Sequence, residues 1–220
     1  MNADRPLRSA PTPSLRRMPM YLRCLYALQK TNVEWVSCTY LAERLQKDAT
    51  LVRKDLALTG IVGKPKVGFH LQGLIAAIEH FIGWDNLEGA FLAGVGNLGS
   101  ALLGYEGFTQ HGLNIVAGFD VDPAKVGTEV HGKRILHIDK LPDLAHRMHI
   151  GIGIITVGAR TAQTVADLMV AGGIRAIWNF APIRLELPEE IIVENEDLAG
   201  TLAVISRRLA GLTVDGAGRE

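Results

Sequence analysis

The chain has no apolar run long enough to cross a bilayer, only two cysteines, and no excess of either charge. Its hydrophobic stretches are short and broken by glycine or charge, below the roughly 18 to 20 residues that a membrane helix needs. The arginines near the N-terminus are not followed by an apolar block with a small-residue cleavage site, so no secretory signal and no membrane association are expected, and the cytoplasm is the expected location. Cys24 and Cys38 fall in segments of helical pattern and are expected to be free, partly buried thiols. Neither they nor the scattered histidines show the close ligand spacings of a zinc site, so no metal is expected.

The absence of net charge hides an asymmetry. Residues 1 to 84 hold 12 Lys+Arg against 6 Asp+Glu, a balance of +6, and residues 85 to 220 hold 11 against 17, a balance of −6. Two parts with different partners are expected, the first partner polyanionic.

In the basic part, residues 1 to 11 are polar and proline-bearing and are expected to be flexible. Thr12-Pro13 reads as an N-cap with proline at the first helical position. Tyr21, Leu22, Leu25, Tyr26 and Leu28 then recur at helical spacing, with Pro19 marking a kink or the true start. After a loop at 31 to 36, Ser37 is expected to cap a second helix, and Asp48 or Thr50 a third that displays Arg53 and Lys54. Residues 60 to 69 read as a hairpin with Lys64 and Lys66 near its tip. Three short helices with such a wing form a DNA-binding candidate. A small helical cap or dimerisation domain with a solvated basic face fits the same pattern. An apolar helix at 71 to 81 bridges to the second part, with the boundary near 84 to 88.

The second part is built around residues 87 to 123. An apolar run at 90 to 93 leads into Gly94-Val95-Gly96-Asn97-Leu98-Gly99, a helix-like segment from Ser100, and a second apolar run at 115 to 119 that closes on Asp120. The first glycine permits a tight turn, the second lets a pyrophosphate approach the backbone, and the third lets helix pack on strand. Helix N-terminal amides then face the phosphates. Asp120 follows Gly99 by 21 residues, where a carboxylate can accept hydrogen bonds from an adenine ribose. Dinucleotide or closely related nucleotide binding is the expectation. A glycine turn that merely packs a helix tightly is the alternative.

Further strands are expected at 151 to 157, 176 to 180 and 191 to 194, with helices at 140 to 146 and 159 to 171 and a weak hairpin-like segment at Lys133-Arg134-Ile135. This alternation implies an α/β fold, a parallel sheet with helices on both faces. Its ligand belongs over the carboxyl ends of the strands, near Gly94, Asp120, Thr156 and Asn179. Beyond the last strand, Asp197 can cap a helix in which Leu198, Leu202, Ile205, Leu209 and Leu212 form a narrow seam. Such a seam needs a surface, either its own domain or a second subunit.

Taken together these residues resemble the Rex family of bacterial redox-sensing transcriptional repressors. The resemblance is carried by Tyr21-Leu22-Arg23, Val52-Arg53-Lys54-Asp55-Leu56, the glycine turn, Tyr105-Glu106-Gly107-Phe108, Phe119-Asp120-Val121-Asp122-Pro123, Asn179-Phe180-Ala181-Pro182 and Val193-Glu194-Asn195-Glu196-Asp197-Leu198, and spans about 12 to 209. It implies an α+β winged helix (12 to 84), a Rossmann domain binding NADH or NAD+ (85 to 196), a domain-swapped helix exchanged within a homodimer (197 to 212) and a flexible tail (213 to 220). NADH binding is then expected to release operator DNA carrying an inverted repeat. The expected cofactor residues are Gly94, Gly96, Asn97, Leu98, Gly99, Tyr105, Asp120, Thr156, Val157, Gly158, Asn179, Phe180, Ala181 and Pro182. Arg53, Lys54, Lys64 and Lys66 are the expected DNA contacts. Arg23, Tyr105 and the partner subunit's Asp197 are the expected switch.

The chain departs from the family pattern at four places. Leu198 stands where an aromatic is usual and Gly158 where the family has the proline of Thr-Val-Pro. Ala57-Leu58-Thr59-Gly60 replaces Ser-Tyr-Phe-Gly, and Pro65-Lys66-Val67-Gly68-Phe69 replaces Arg-Gly-Val-Gly-Tyr. The last two changes bear on operator sequence more than on fold. A small NAD-dependent dehydrogenase is the rival class, but no room for a substrate domain is expected after the last strand. His111, His131, His137, His146 and His149 are expected on loops and solvated faces rather than as bases. An enzyme is therefore not expected. A regulator binding NADP or coenzyme A in the same fold is the third reading; Asp120, with no arginine following closely, opposes a 2′-phosphate.

Overall fold

A computed structural model describes residues 10 to 85 and 88 to 216. The chain divides between residues 86 and 87 into two units. The flexible ends expected at 1 to 11 and 213 to 220 lie largely outside the described residues.

The first unit runs α1 (Thr12–Gln29), β1 (Trp35–Val36), α2 (Cys38–Leu45), α3 (Ala49–Leu58), β2 (Phe69–His70) and α4 (Leu71–Ile82). Thr12 is already helical and Pro11 occupies the cap position, so the first cap is not the one expected. The helix continues through Pro19, which lacks an amide to donate. Ser37 caps α2 by accepting from the Tyr40 amide at 3.1 Å. Asp48 caps α3 through the amides of Thr50 and Leu51 at 2.8 and 3.0 Å. The helices close over a core that includes Met18, Tyr21, Leu22, Leu25, Leu41, Val52, Leu56, Leu74 and Ile78.

Residues 60 to 69 form the expected hairpin in minimal form, Lys64 and Gly68 exchanging backbone hydrogen bonds at 2.7 and 2.9 Å with Lys66 in the turn between them. A single bridge joins Lys64 to Gly68, and the strand that follows pairs with 35 to 36, a stretch expected to be loop, in the register Trp35 to His70 and Val36 to Phe69. Gly68 sits at φ 111°, and a Cβ there would drive into the Val36 carbonyl. The wing is thus a tight turn closed on a two-residue ribbon.

The second unit contains β3 (Glu88–Ala93), α5 (Asn97–Leu103), α6 (Gly107–Gln110), β4 (Leu113–Asp120), β5 (Glu129–Val130), β6 (Lys133–His137), α7 (Leu141–Arg147), β7 (Ile152–Ile155), α8 (Ala159–Ala171), β8 (Ala176–Asn179), β9 (Ile192–Asn195) and α9 (Leu198–Gly216). The sheet order is β5-β6-β4-β3-β7-β8-β9. Every pairing is parallel except β5 with β6. Lys133 and Arg134, read as weakly hairpin-like, pair antiparallel with Val130 and Glu129 of β5, and from Ile135 the same strand runs parallel to β4. The chain leaves β3 for β4 on one side and later returns to β7 on the other, so the order reverses at β3. That switch point is where open α/β sheets hold ligands.

Successive residues of β3 serve opposite cores. Phe91 and Ala93 pack with Phe119, Leu141, Ile155 and Ala166, while Ala90 and Leu92 pack with Leu103, Ile115, Ile135 and Ile154. Burial on both faces explains why this strand reads as a continuous apolar run. The α9 helix extends past the expected end at 212 and keeps Leu198, Leu202, Ile205 and Leu209 exposed.

Candidate functional site

The carboxyl ends of the central strands are stitched into one rim. Gly94 N–H donates to the Phe119 carbonyl at 2.8 Å and Thr156 N–H to that of Ala93 at 2.9 Å. The Thr156 hydroxyl donates to the Gly94 carbonyl at 2.7 Å. Gly94 takes φ 99°, and a Cβ would press on Thr156 and Val157. Gly99 lies where a Cβ would strike the Gly94 carbonyl, which lets α5 pack directly on the turn. Gly96 is different: nothing lies within 4 Å of its Cβ position. Gly96, Asn97 and Leu98 are exposed while Val95 and Gly99 are buried, so the turn offers bare backbone at the start of α5 to a ligand.

Asp120 ends β4 with four donors on its carboxylate. Val95 N–H and Lys125 Nζ donate to Oδ2 at 2.8 and 3.2 Å, and the amides of Val121 and Asp122 to Oδ1 at 2.8 and 3.0 Å. Burial would push this carboxyl up, but the hydrogen bonds from Asp122, Lys125 and Val95 and the lysine charge outweigh it and hold it below its ordinary range. Asp120 is ionised at neutral pH and fastens the turn to β4. Lys125 escaped the sequence reading, which looked only for arginine.

Asn179, expected among the cofactor residues, is fully buried. Its amide donates to the carbonyls of Ala181 and Ile183 and to Asn195 Oδ1 at 3.1, 3.0 and 2.9 Å, and its oxygen accepts from the Ala181 amide at 3.0 Å. The side chain shapes the loop carrying Phe180, Ala181 and Pro182, and has no donor to spare for a ligand. Gly158 has open space around it at the start of α8, next to Thr156 and Val157.

Tyr105 is exposed beside this rim, its ring edge-on to Phe108 at 4.9 Å. A Cβ at Gly107 would meet the Tyr105 ring. Asp197 caps α9 by accepting from the Gly200 amide at 2.7 Å. Arg23, the other expected switch residue, belongs to the first unit, where it lines a pocket with Cys24, Tyr40 and Arg44.

In the first unit Arg53, Lys64 and Lys66 line one shallow groove with Ser37, Cys38 and Thr39. Lys54 is exposed on α3 but does not line it. Lys64 Nζ stands 5.6 Å from the Trp35 ring, an added reason for the wing to keep its place. Burial pushes both cysteine thiols up, offset in part by Arg44 beside Cys24 and Arg53 beside Cys38. Both cysteines are free.

Sequence reasoning missed the device that seats α3. Arg17 donates to Asp55 through Nε at 2.6 Å and Nη2 at 2.8 Å, and Tyr21 OH donates to Asp55 Oδ2 at 2.6 Å. Asp55 follows Arg53 and Lys54 directly and is buried, so this clamp to α1 fixes which face of α3 those cations present. Arg17 and Tyr21 stand one helical turn apart, which is the signal that could have suggested a shared partner.

Among the described residues, no helix is long and apolar enough to cross a membrane. Two family models match the chain. "CoA binding domain" covers residues 85–183 and "Putative DNA-binding protein N-terminus" covers residues 10–57. The chain is 44% identical to the redox-sensing transcriptional repressor Rex of Treponema denticola, over 88% of this chain and 92% of that protein. Its fold matches the crystal structure of RSP in complex with β-NAD+ and operator DNA with a TM-score of 0.87 and 32% identity, covering 96% of this chain and 98% of that one. The crystal structure of RSP with β-NADH matches with a TM-score of 0.83 and 31% identity, over 95% and 98% of the two chains. The chain belongs to the Rex family of redox-sensing transcriptional repressors.

Proposed function

We propose that this chain is a cytoplasmic homodimeric repressor that binds NADH or NAD+ at the Gly94 to Gly99 turn and releases an inverted-repeat operator when NADH binds. The observation that carries this reading is the bare backbone at Gly96, at the switch point of the sheet, in a chain that resembles along nearly its whole length a structure holding both β-NAD+ and operator DNA. The glycine turn receives the pyrophosphate, and Asp120 the adenine ribose in exchange for Lys125. Thr156 to Gly158 and the loop at Phe180 to Pro182 border the nicotinamide half. Asn179 supports that loop from beneath. The exposed leucines of α9 support exchange of this helix into a second subunit, where Asp197 meets the partner's Arg23 and Tyr105 senses the nicotinamide.

NADH can move operator occupancy only by its differential affinity for the closed dimer over the DNA-binding one. A coupling of about 1 to 3 kcal/mol corresponds to a shift of roughly 5- to 150-fold. Titrating NADH at fixed NAD+ and fixed salt against labelled operator is expected to show release in that range. Equal release by NAD+ at matched saturation would refute redox sensing. Calorimetry with NADH, NADPH and coenzyme A is expected to rank NADH first, because the Asp120 carboxylate opposes a 2′-phosphate.

The basic residues yield a separate expectation. Removing Lys64 or Lys66 should weaken operator binding about equally across sequences and lower the salt slope by about 1 for each phosphate no longer neutralised. Arg53, at the exposed face of α3, should instead alter which operator is preferred. Filter binding over a series of salt concentrations and operator variants separates the two behaviours.

A further inference from the structure

The exit from the sheet into α9 is held at more points than a simple strand end requires. Glu196 N–H donates to the Asn179 carbonyl at 2.9 Å, and Asn195 Oδ1 accepts from the Asn179 amide at 2.9 Å. Trp178 Nε1 then donates to Glu196 Oε1 at 2.9 Å. Consecutive residues of β8 therefore grip Glu196 by backbone and side chain. Asp197 caps the helix at the next position. Leu198, Leu202, Ile205 and Leu209 are exposed on the helix that follows this root.

The same tryptophan ends a run of aromatic contacts. Trp178 meets Phe108 edge-on at 5.6 Å, and Phe108 meets Tyr105 edge-on at 4.9 Å. Phe180, in the loop bordering the proposed nicotinamide site, lies tilted against Trp178 at 4.9 Å. One indole thus touches the aromatic cluster at the ligand rim and hydrogen-bonds the last residue before the α9 cap.

We propose that the Trp178 to Glu196 hydrogen bond is a latch through which the aromatic cluster at Tyr105 positions the root of α9. Trp178 and Glu196 are positioning residues: a displacement of Tyr105 or Phe180 turns the indole, and the indole carries Glu196 with it. This rests on the reading that Tyr105 faces the nicotinamide and that α9 enters the partner subunit. Physical continuity alone does not establish coupling, so the test has to measure it.

The full-length protein is compared with Trp178→Phe, which keeps the ring but loses the N–H, and with Glu196→Ala and Glu196→Gln. Hydrogen exchange at the first turn of α9 and NADH-driven release of operator are both measured. Loss of one such hydrogen bond is expected to speed exchange there by about three- to tenfold and to reduce the NADH effect by a similar factor. Operator binding without NADH should remain at the wild-type level. Glu196→Gln keeps an acceptor for the indole and should behave as wild type. Unchanged exchange and release in Trp178→Phe and Glu196→Ala would overturn the latch, and faster exchange with unchanged release would overturn its coupling role. Failure of NADH to release operator from the wild-type protein would instead refute the parent reading, and is seen before any variant is compared.

Discussion

Replacing Asp55 with alanine is expected to destabilise the first unit by about 3 kcal/mol, because removing one partner of a buried pair strands the others. The Tyr21 hydroxyl, in a fully buried side chain, loses its acceptor, and the Arg17 guanidinium loses two hydrogen bonds. The low end of the range for buried pairs applies because the Arg17 side chain keeps 21% exposure, so water can solvate it after the change. Asp55→Asn keeps the volume and one acceptor oxygen and should cost less. Chemical denaturation of the three proteins at neutral pH measures the difference. Operator affinity should fall with stability in this series, because α3 carries Arg53 and Lys54 immediately before Asp55.

The same network sets a pH dependence whose sign is fixed. Burial pushes Asp55 up, but the hydrogen bonds from Arg17, Tyr21 and Ser14 and the arginine charge win, and its folded value lies below that of an unfolded carboxyl. A group lowered on folding contributes stability that is fully present above its unfolded value, about 3.9, and is lost as pH falls through the folded one. Wild-type stability should therefore decline from about pH 5 downward, and Asp55→Asn should decline less steeply over that window. At the alkaline end, burial and the bond to Asp55 raise the Tyr21 hydroxyl above its ordinary value. Its contribution is thus retained up to the usual tyrosine range and lost only as pH rises through the raised value.

What could be read from the sequence followed the range of the interactions involved. The glycine turn was legible because strand, turn and helix lie within a dozen residues and Gly99 answers to the Gly94 carbonyl inside that span, whereas the Thr156 and Val157 that crowd Gly94 come from a distant strand end and were not. Asp120 was legible by spacing, but the Lys125 ammonium on its carboxylate was not, since a lysine five residues on in a turn has no periodic signature. The lysine-tipped turn of the wing was legible, but the ribbon that anchors it was not. Its strand partners lie in segments 33 residues apart, Val36 with Phe69, and a two-residue ribbon leaves too short an alternation to detect. Arg17 and Asp55 are separated by 38 residues, and only packing of α1 on α3 brings them together. Asn179 was legible as the residue at the carboxyl end of a strand, but the burial of its side chain and its hydrogen bonds to the loop that carries Phe180 to Pro182 come from packing that no sequence pattern announces.

Gly96 and Gly99 separate the proposed cofactor contact from the fold that holds it. An added Cβ at Gly99 meets the Gly94 carbonyl and the Thr156 hydroxyl, two groups already bonded to each other, so α5 must move off the turn. Overpacking of this kind costs about 1 to 3 kcal/mol, and Gly99→Ala should lose thermal stability and NADH binding together. At Gly96 the Cβ enters open space from an ordinary φ of −82°, so Gly96→Ala should stay within about 1 kcal/mol of wild type, the most a change at a helix cap position commonly costs. The same methyl group stands where the pyrophosphate would approach the bare amides, and NADH affinity should fall at least about tenfold, the equivalent of roughly 1.4 kcal/mol. Calorimetric titration of NADH beside thermal unfolding distinguishes the two variants. If Gly96→Ala binds NADH as the wild type does, the phosphates do not sit at this turn, and the exposed backbone at the start of α5 loses its proposed role.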